Sequence, residues 1–183
     1  MPFVLASMTS IKVEKATVSL HHVRLPIGIL LDSVEISGKS LGVAIHPIQL
    51  NLPHPATMKV EISAANLEAF LVELKLAGAR DLKVELLNER VVVRGIIKMM
   101  IDLKFKAVCT LRIFQERQLH VEAESVEVLG KGATNLLQPQ LAKMNPVLDV
   151  KEFPFPVTLS AVRITDHRVE VTGLVSPPPE FLA

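Results

Sequence analysis

The chain has no tryptophan, no tyrosine and a single cysteine, Cys109. One thiol excludes an intramolecular disulfide and any C-x-x-C redox or metal chemistry. A net charge of +1, with no tryptophan or tyrosine and no RNA-recognition aromatic motif, argues against nucleic-acid binding. Long apolar runs are missing too. Hydrophobic residues make up 49% of the chain and the mean hydropathy is +0.38. Yet nothing approaches the ~18 uninterrupted apolar residues of a membrane-spanning helix; LPIGILL at 25–31 and MPFVLA at 1–6 are the longest candidates. The opening has neither the positive n-region nor the full h-region of a secretory signal. The expectation is a cytoplasmic or peripheral membrane protein, or a mature or trimmed form.

Catalytic motifs are scarce as well. No serine stands in a GxSxG-type elbow. Gly42, Gly95, Gly130 and Gly132 form no GxGxxG or Walker loop, and GKGATN at 130–135 lacks the strand-to-helix spacing. Adjacent histidines on a strand point to opposite faces, so His21 and His22 do not converge on one metal. His46 and His54 flank a proline-rich loop without an evident third ligand, and Asp166-His167 reads as a turn. No catalytic residue, metal or cofactor is expected. The lone Cys109 reads as a buried, inert thiol.

What the chain does have is alternation. From Val91 to Ile113, every second residue is apolar: Val91, Val93, Gly95, Ile97, Met99, Ile101, Leu103, Phe105, Ala107, Cys109, Leu111 and Ile113. Period two marks a strand with one face in a core. A straight strand of this length would run roughly 75 Å against a usual ~20 Å, so the stretch must fold back or curve, at Gly95 or at Met99-Met100. Similar alternation recurs within 11–25 (with a parity slip near Ala16), and at 30–36, 41–45, 58–62, 82–86 and 119–123. It closes in a final hairpin turning at Asp166-His167-Arg168. Turns are expected at Pro26-Ile27-Gly28, Asn88-Glu89 and Gln115–Gln118.

Two stretches switch to helical period. After Ser63, an apt N-cap, Leu67, Phe70, Leu71 and Leu74 follow i, i+3, i+4, i+7, giving an amphipathic helix over 63–78 of about four turns. A second, shorter helix is expected at about 135–144, with Pro139 in its first turn and Pro146 at its stop. The fold class that follows is α+β, a strongly curved antiparallel sheet wrapped around a long amphipathic helix. Residues 1–175 form one domain and 176–183 a proline-rich tail.

The closing segment FPFPVTLSAVRITDHRVEVTGLV resembles the C-terminal signature of the LmeA-like phospholipid-binding family: a proline-bearing PF, two alternating strands around a polar turn, and a terminal VTG. VEISGKSLGV followed by VEISAANLEAFL, and LHVEAESVEVLG before the second helix, are similar to that family in order and spacing. The resemblance spans Val18 to Val175. It implies a bacterial lipid-binding domain of TULIP-like fold with an apolar groove for acyl chains, in members that are usually exported and membrane-associated, and it carries no catalytic motif.

Site expectations follow. A phospholipid or other acyl-chain ligand would lie against Phe70, Leu71, Leu74, Ile97, Met99, Ile101, Phe105 and Leu111. On the other parity, Arg94, Lys98, Lys104, Lys106 and Arg112 would touch anionic headgroups at a membrane surface, or serve as a solvated strand face that discourages edge aggregation. The alternative to lipid binding is a protein-interaction module with a self-packed core, meeting its partner through the proline-rich edge at 46–55.

Overall fold

Alternation of burial builds the central strands. In ATMKVEIS, Ala56, Met58, Val60 and Ile62 are buried, and in RVEVTGLV, Val169, Val171, Gly173 and Val175 are. The computed structural model describes residues 15–45, 48–75, 78–87, 89–98, 101–129, 131–132, 145–153 and 155–177. In chain order its elements are β1 (Ala16–Arg24), β2 (Leu30–Gly38), β3 (Gly42–Ile45), β4 (Ile48–Asn51), β5 (Ala56–Ser63), α1 (Ala64–Glu73), β6 (Ala79–Leu87), β7 (Arg90–Lys98), β8 (Asp102–Phe114), β9 (Gln118–Val128), β10 (Lys131–Gly132), β11 (Leu148–Asp149), β12 (Val157–Ile164) and β13 (Arg168–Val175).

These strands form two antiparallel sheets. The first runs β1-β2-β5-β13-β12; the second runs β10-β9-β8-β7-β6, with β11 on the free side of β9, while β3 and β4 make a hairpin of their own. The inner faces meet in one apolar core. The expected single curved sheet is thus two open sheets, and the helix does not run through their middle. The two VEIS segments noted in the sequence are β2 and β5, paired with Val34 opposite Val60.

The helix is shorter than its sequence pattern suggests. Ser63 caps it as expected, its Oγ accepting from the Asn66 N–H at 3.3 Å. The helix ends at Glu73, and Lys75 (φ 50°) and Gly78 (φ 69°) have left-handed backbone. So the four turns expected over 63–78 are ten residues. The second helix expected at about 135–144 lies outside the described residues. Helix α1 sits over the seam between the sheets. Asp32 of β2 accepts from the Ser63 N–H at 2.5 Å, and Glu68 accepts from Lys83 Nζ at 2.9 Å and from the Val84 N–H of edge strand β6 at 3.1 Å.

The Glu68 clamp carries a prediction. The Lys83 hydrogen bond, with that of the Val84 N–H, holds the Glu68 carboxyl below its ordinary value of 4.5. A depressed carboxylate contributes stability that is present above its unfolded pKa and lost as pH falls through the folded one. Glu68→Ala is therefore expected to lower Tm by a few degrees at neutral pH, with the gap to the parent closing below pH 4.5. Thermal melts at both pH values check this.

Two glycines let elements approach closely. A Cβ on Gly173, the last residue of the VTG motif, would lie 2.5 Å from the Thr158 carbonyl oxygen, beside the irregular β12–β13 register at Leu159–Ala161. A Cβ on Gly95 would come within 2.8 Å of the Leu82 and Phe105 side chains. Gly95 is therefore a mid-strand seat for a ring, not a bend. The long apolar stretch folds back instead between Lys98 and Asp102, which pair across β7 and β8. The tail begins docked: the Ser176 N–H donates to Pro156 O at 3.0 Å and Pro177 is buried.

Candidate functional site: an apolar cavity between the sheets

The odd-numbered residues of β7 and β8 share the face turned toward the first sheet, because the two strands pair with Val91 opposite Cys109 and Val93 opposite Ala107. Together with Leu111 of β8 and Leu119 and Val121 of β9 they form one wall of a cavity. Ile62 of β5 and Val169 of β13 form the opposite wall, with Ile29 and Val147 beside them. Leu67, Phe70 and Leu71 of α1 close the side along the seam. Every lining residue is apolar or, in Cys109, a thiol.

The segment at 145–149 secures the β9 side of this wall. The Asn145 side chain accepts from the Val121 N–H at 2.8 Å and donates to the Val121 carbonyl at 2.9 Å, and the Val147 N–H donates to Leu119 O at 2.9 Å. At the far end, the Leu159 N–H of β12 donates to Glu116 O in the β8–β9 turn at 2.7 Å, tying the two sheets together.

The cavity measures about 60 Å³, against roughly 150 Å³ for a dry apolar cavity that takes up benzene. As it stands it is an apolar space too small for an acyl chain. Beyond it, the inner face continues along β8 past Phe105, whose ring lies over Gly95, to Ile97, Leu103 and Val128, all half-buried. From Leu111 to Leu103 this apolar track covers about 27 Å at ~3.4 Å per residue.

Of the expected wall residues, Phe70 (2% exposed), Leu71 (7% exposed) and Leu111 line the cavity, while Phe105 and Ile97 belong to the track. Leu74 and Ile101 do not. Leu74 is 39% exposed because the helix has ended before it, and Ile101 is 66% exposed because it stands in the turn between β7 and β8. Met99 lies outside the described residues. Val91, Val93, Ala107 and Cys109, on the parity already picked out, and Leu119 and Val121 complete the wall; the same alternation could have named them. The opposite wall, Ile62 and Val169, has no signal in one sequence, since pairing of distant faces is not written in a periodicity.

The outer face of the second sheet carries the basic row. Arg94 pairs with Glu85 and Arg112 with Glu122 (3.0 Å), whereas Lys98, Lys104 and Lys106 form no ion pair among the described residues. No group of three or more metal-ligating side chains occurs among the described residues. His21 and His22 are both exposed; His22, at φ 56°, has left-handed backbone, which breaks the alternation that would have put them on opposite faces. Elsewhere, burial raises the Glu152 carboxyl above its ordinary value, and its Oε2 is buried without a hydrogen-bond partner.

Burial pushes the Cys109 thiol up to about 11, with the Glu124 charge adding to the effect. Against an ordinary value of 9.0, roughly 100-fold fewer molecules carry the reactive thiolate at mildly alkaline pH. Labelling of the folded protein by a disulfide-exchange reagent is expected to run at least 100-fold slower than in denaturant. The raised thiol also contributes stability that is lost as pH climbs from about 9 to about 11, where the unfolded chain gives up a proton that the folded one keeps.

A family model described as LmeA-like phospholipid-binding matches residues 4–173 of the chain. No curated protein and no solved structure matches it.

Proposed function

The chain belongs to the LmeA-like phospholipid-binding family, and from that premise we propose that it binds a phospholipid or similar amphiphile without catalysing a reaction on it. The acyl chain occupies the inter-sheet cavity and extends along the inner face of β8. The observation that carries this reading is the lining: Phe70, Leu71, Val91, Val93, Ala107 and Leu111 present only hydrocarbon to the enclosed space. Apolar walls with few polar groups are what small-molecule pockets for hydrophobic ligands require.

Because the enclosed space is small, loading needs a conformational step. The α1 seam is the natural place for it: beside the packing of Leu67, Phe70 and Leu71, the polar contacts that tie the helix to the sheets are few, Asp32 with Ser63, Glu68 with β6, and Arg24 with Glu73 at 3.3 Å. The swing of Phe105 off Gly95 would join cavity and track. A sheet pair that opens around a lipid is also the form in which the TULIP-like reading of the fold persists. We take residues 1–175 as the binding unit. Lys98, Lys104 and Lys106, which form no ion pair among the described residues, are the headgroup contacts this reading keeps from the basic row; Arg94 and Arg112 are already matched by carboxylates.

The experiment is a titration with a fluorescent acyl-chain probe, followed by displacement with phospholipid. Saturable binding, reversed by phospholipid, is expected. A self-packed core takes up no probe, and that result would leave the interaction-module reading standing.

A further inference from the structure

The two most exposed large apolar side chains among the described residues stand at the same end of the second sheet. Ile101, in the β7–β8 turn, and Leu129, just past β9, are each 66% exposed. The Leu129 N–H donates to Lys104 O at 3.3 Å, which places Leu129 three residues along β8 from Ile101, about 10 Å away at ~3.4 Å per residue. Three lysines surround them. Lys98 pairs across the sheet with Asp102, Lys104 lies beside Leu129, and Lys131 pairs with Val128. All three are exposed and none forms an ion pair among the described residues. Of the acidic residues at this end, Asp102 is held by Arg80, while Glu127, across from Lys106 in the register, and Asp81 of β6 are exposed and form no ion pair among the described residues. What remains is two apolar tips beside three exposed lysines, Lys98, Lys104 and Lys131, with positive charge in excess.

The geometry points to this end of the second sheet as a docking surface for an anionic lipid bilayer, with Ile101 and Leu129 entering the interface and Lys98, Lys104 and Lys131 meeting the headgroups. Exposed apolar side chains cost free energy in water and are relieved in the acyl boundary, while each lysine gains from a negative surface potential that decays within a Debye length. The charge decides among occupants. A second copy of this chain would bring the same lysines face to face, and a neutral apolar partner would leave them unmatched. The site shares Lys98 and Lys104 with the basic row on the open strand face and extends it to the sheet's end with Lys131, Ile101 and Leu129. It does not depend on an acyl chain entering the cavity, although the half-buried Ile97, Leu103 and Val128 lie directly behind it.

The test is co-sedimentation of the full chain with phosphatidylcholine vesicles, with and without phosphatidylglycerol, at low and high salt. Binding is expected only to the anionic vesicles, and it should weaken as salt screens the lysines. The double variant Ile101→Ser, Leu129→Ser is expected to bind at least tenfold more weakly while keeping the parent's Tm, because both side chains are largely exposed. Lys131→Glu should weaken binding further, and soluble acyl-probe binding should be unchanged in all variants. Parent-like vesicle binding by the double variant overturns the proposal. So does parent protein that binds neither vesicle, or that forms a dimer through these residues instead.

Discussion

Replacing Leu71 by aspartate is expected to leave no folded protein at room temperature. Leu71 is 7% exposed, and its side chain lines the apolar space between α1 and both sheets. The cations tied to the helix, Lys83 to Glu68 and Arg24 to Glu73, are already engaged by carboxylates. A carboxylate at position 71 would be ionised without a partner, or protonated at the cost of a shifted pKa. Either costs several kcal/mol, against a total stability of about 5–15 kcal/mol for a domain. The lost leucine contacts add a cavity term of similar sign. Circular dichroism and a thermal melt read the outcome. A soluble Leu71→Asp variant melting with the parent would remove α1 from the core and undo the account of the cavity with it.

Ala107→Phe is the second large effect. Ala107 is buried in β8, opposite Val93 and facing the cavity. A phenyl group there exceeds the free volume, so overpacking is expected to cost about 1–3 kcal/mol, which a stable domain survives. The same ring occupies the space an acyl chain needs. Probe affinity is expected to fall at least tenfold while the fold persists. Val108→Phe, one residue along and turned to the outer face, is the control and should keep probe binding. Equal affinity in parent and Ala107→Phe would place the ligand elsewhere.

Much of this molecule could be read from its sequence, for reasons that single residues show. Alternation located the longer described strands but not the short β4, β10 and β11, and the expected turns at Asn88-Glu89 and Gln115–Gln118 carry positive φ at Glu89, Gln115 and Glu116. The Ser63 cap was also legible, because a hydroxyl three residues before a free N–H is a local signal. Two sheets in place of one curved sheet were not, since alternation tells a strand which face is buried and not what buries it. The helix end was missed because Leu74 continues the apolar stripe, while the left-handed backbone at Lys75 has no glycine to announce it. Ile101 was carried onto the cavity wall by counting parity through a turn, where parity has no meaning. Leu129 and Lys131 were passed over because their partner, the β7–β8 turn, is distant in sequence and adjacent only through the β8–β9 register.

Native mass spectrometry of the purified chain, followed by organic extraction, shows whether the chain carries a phospholipid. The expected result is a population heavier than the bare chain by the mass of a phospholipid, with that lipid recovered in the extract and with the population lost in Ala107→Phe. A bare chain that stays bare after incubation with phospholipid vesicles would contradict it.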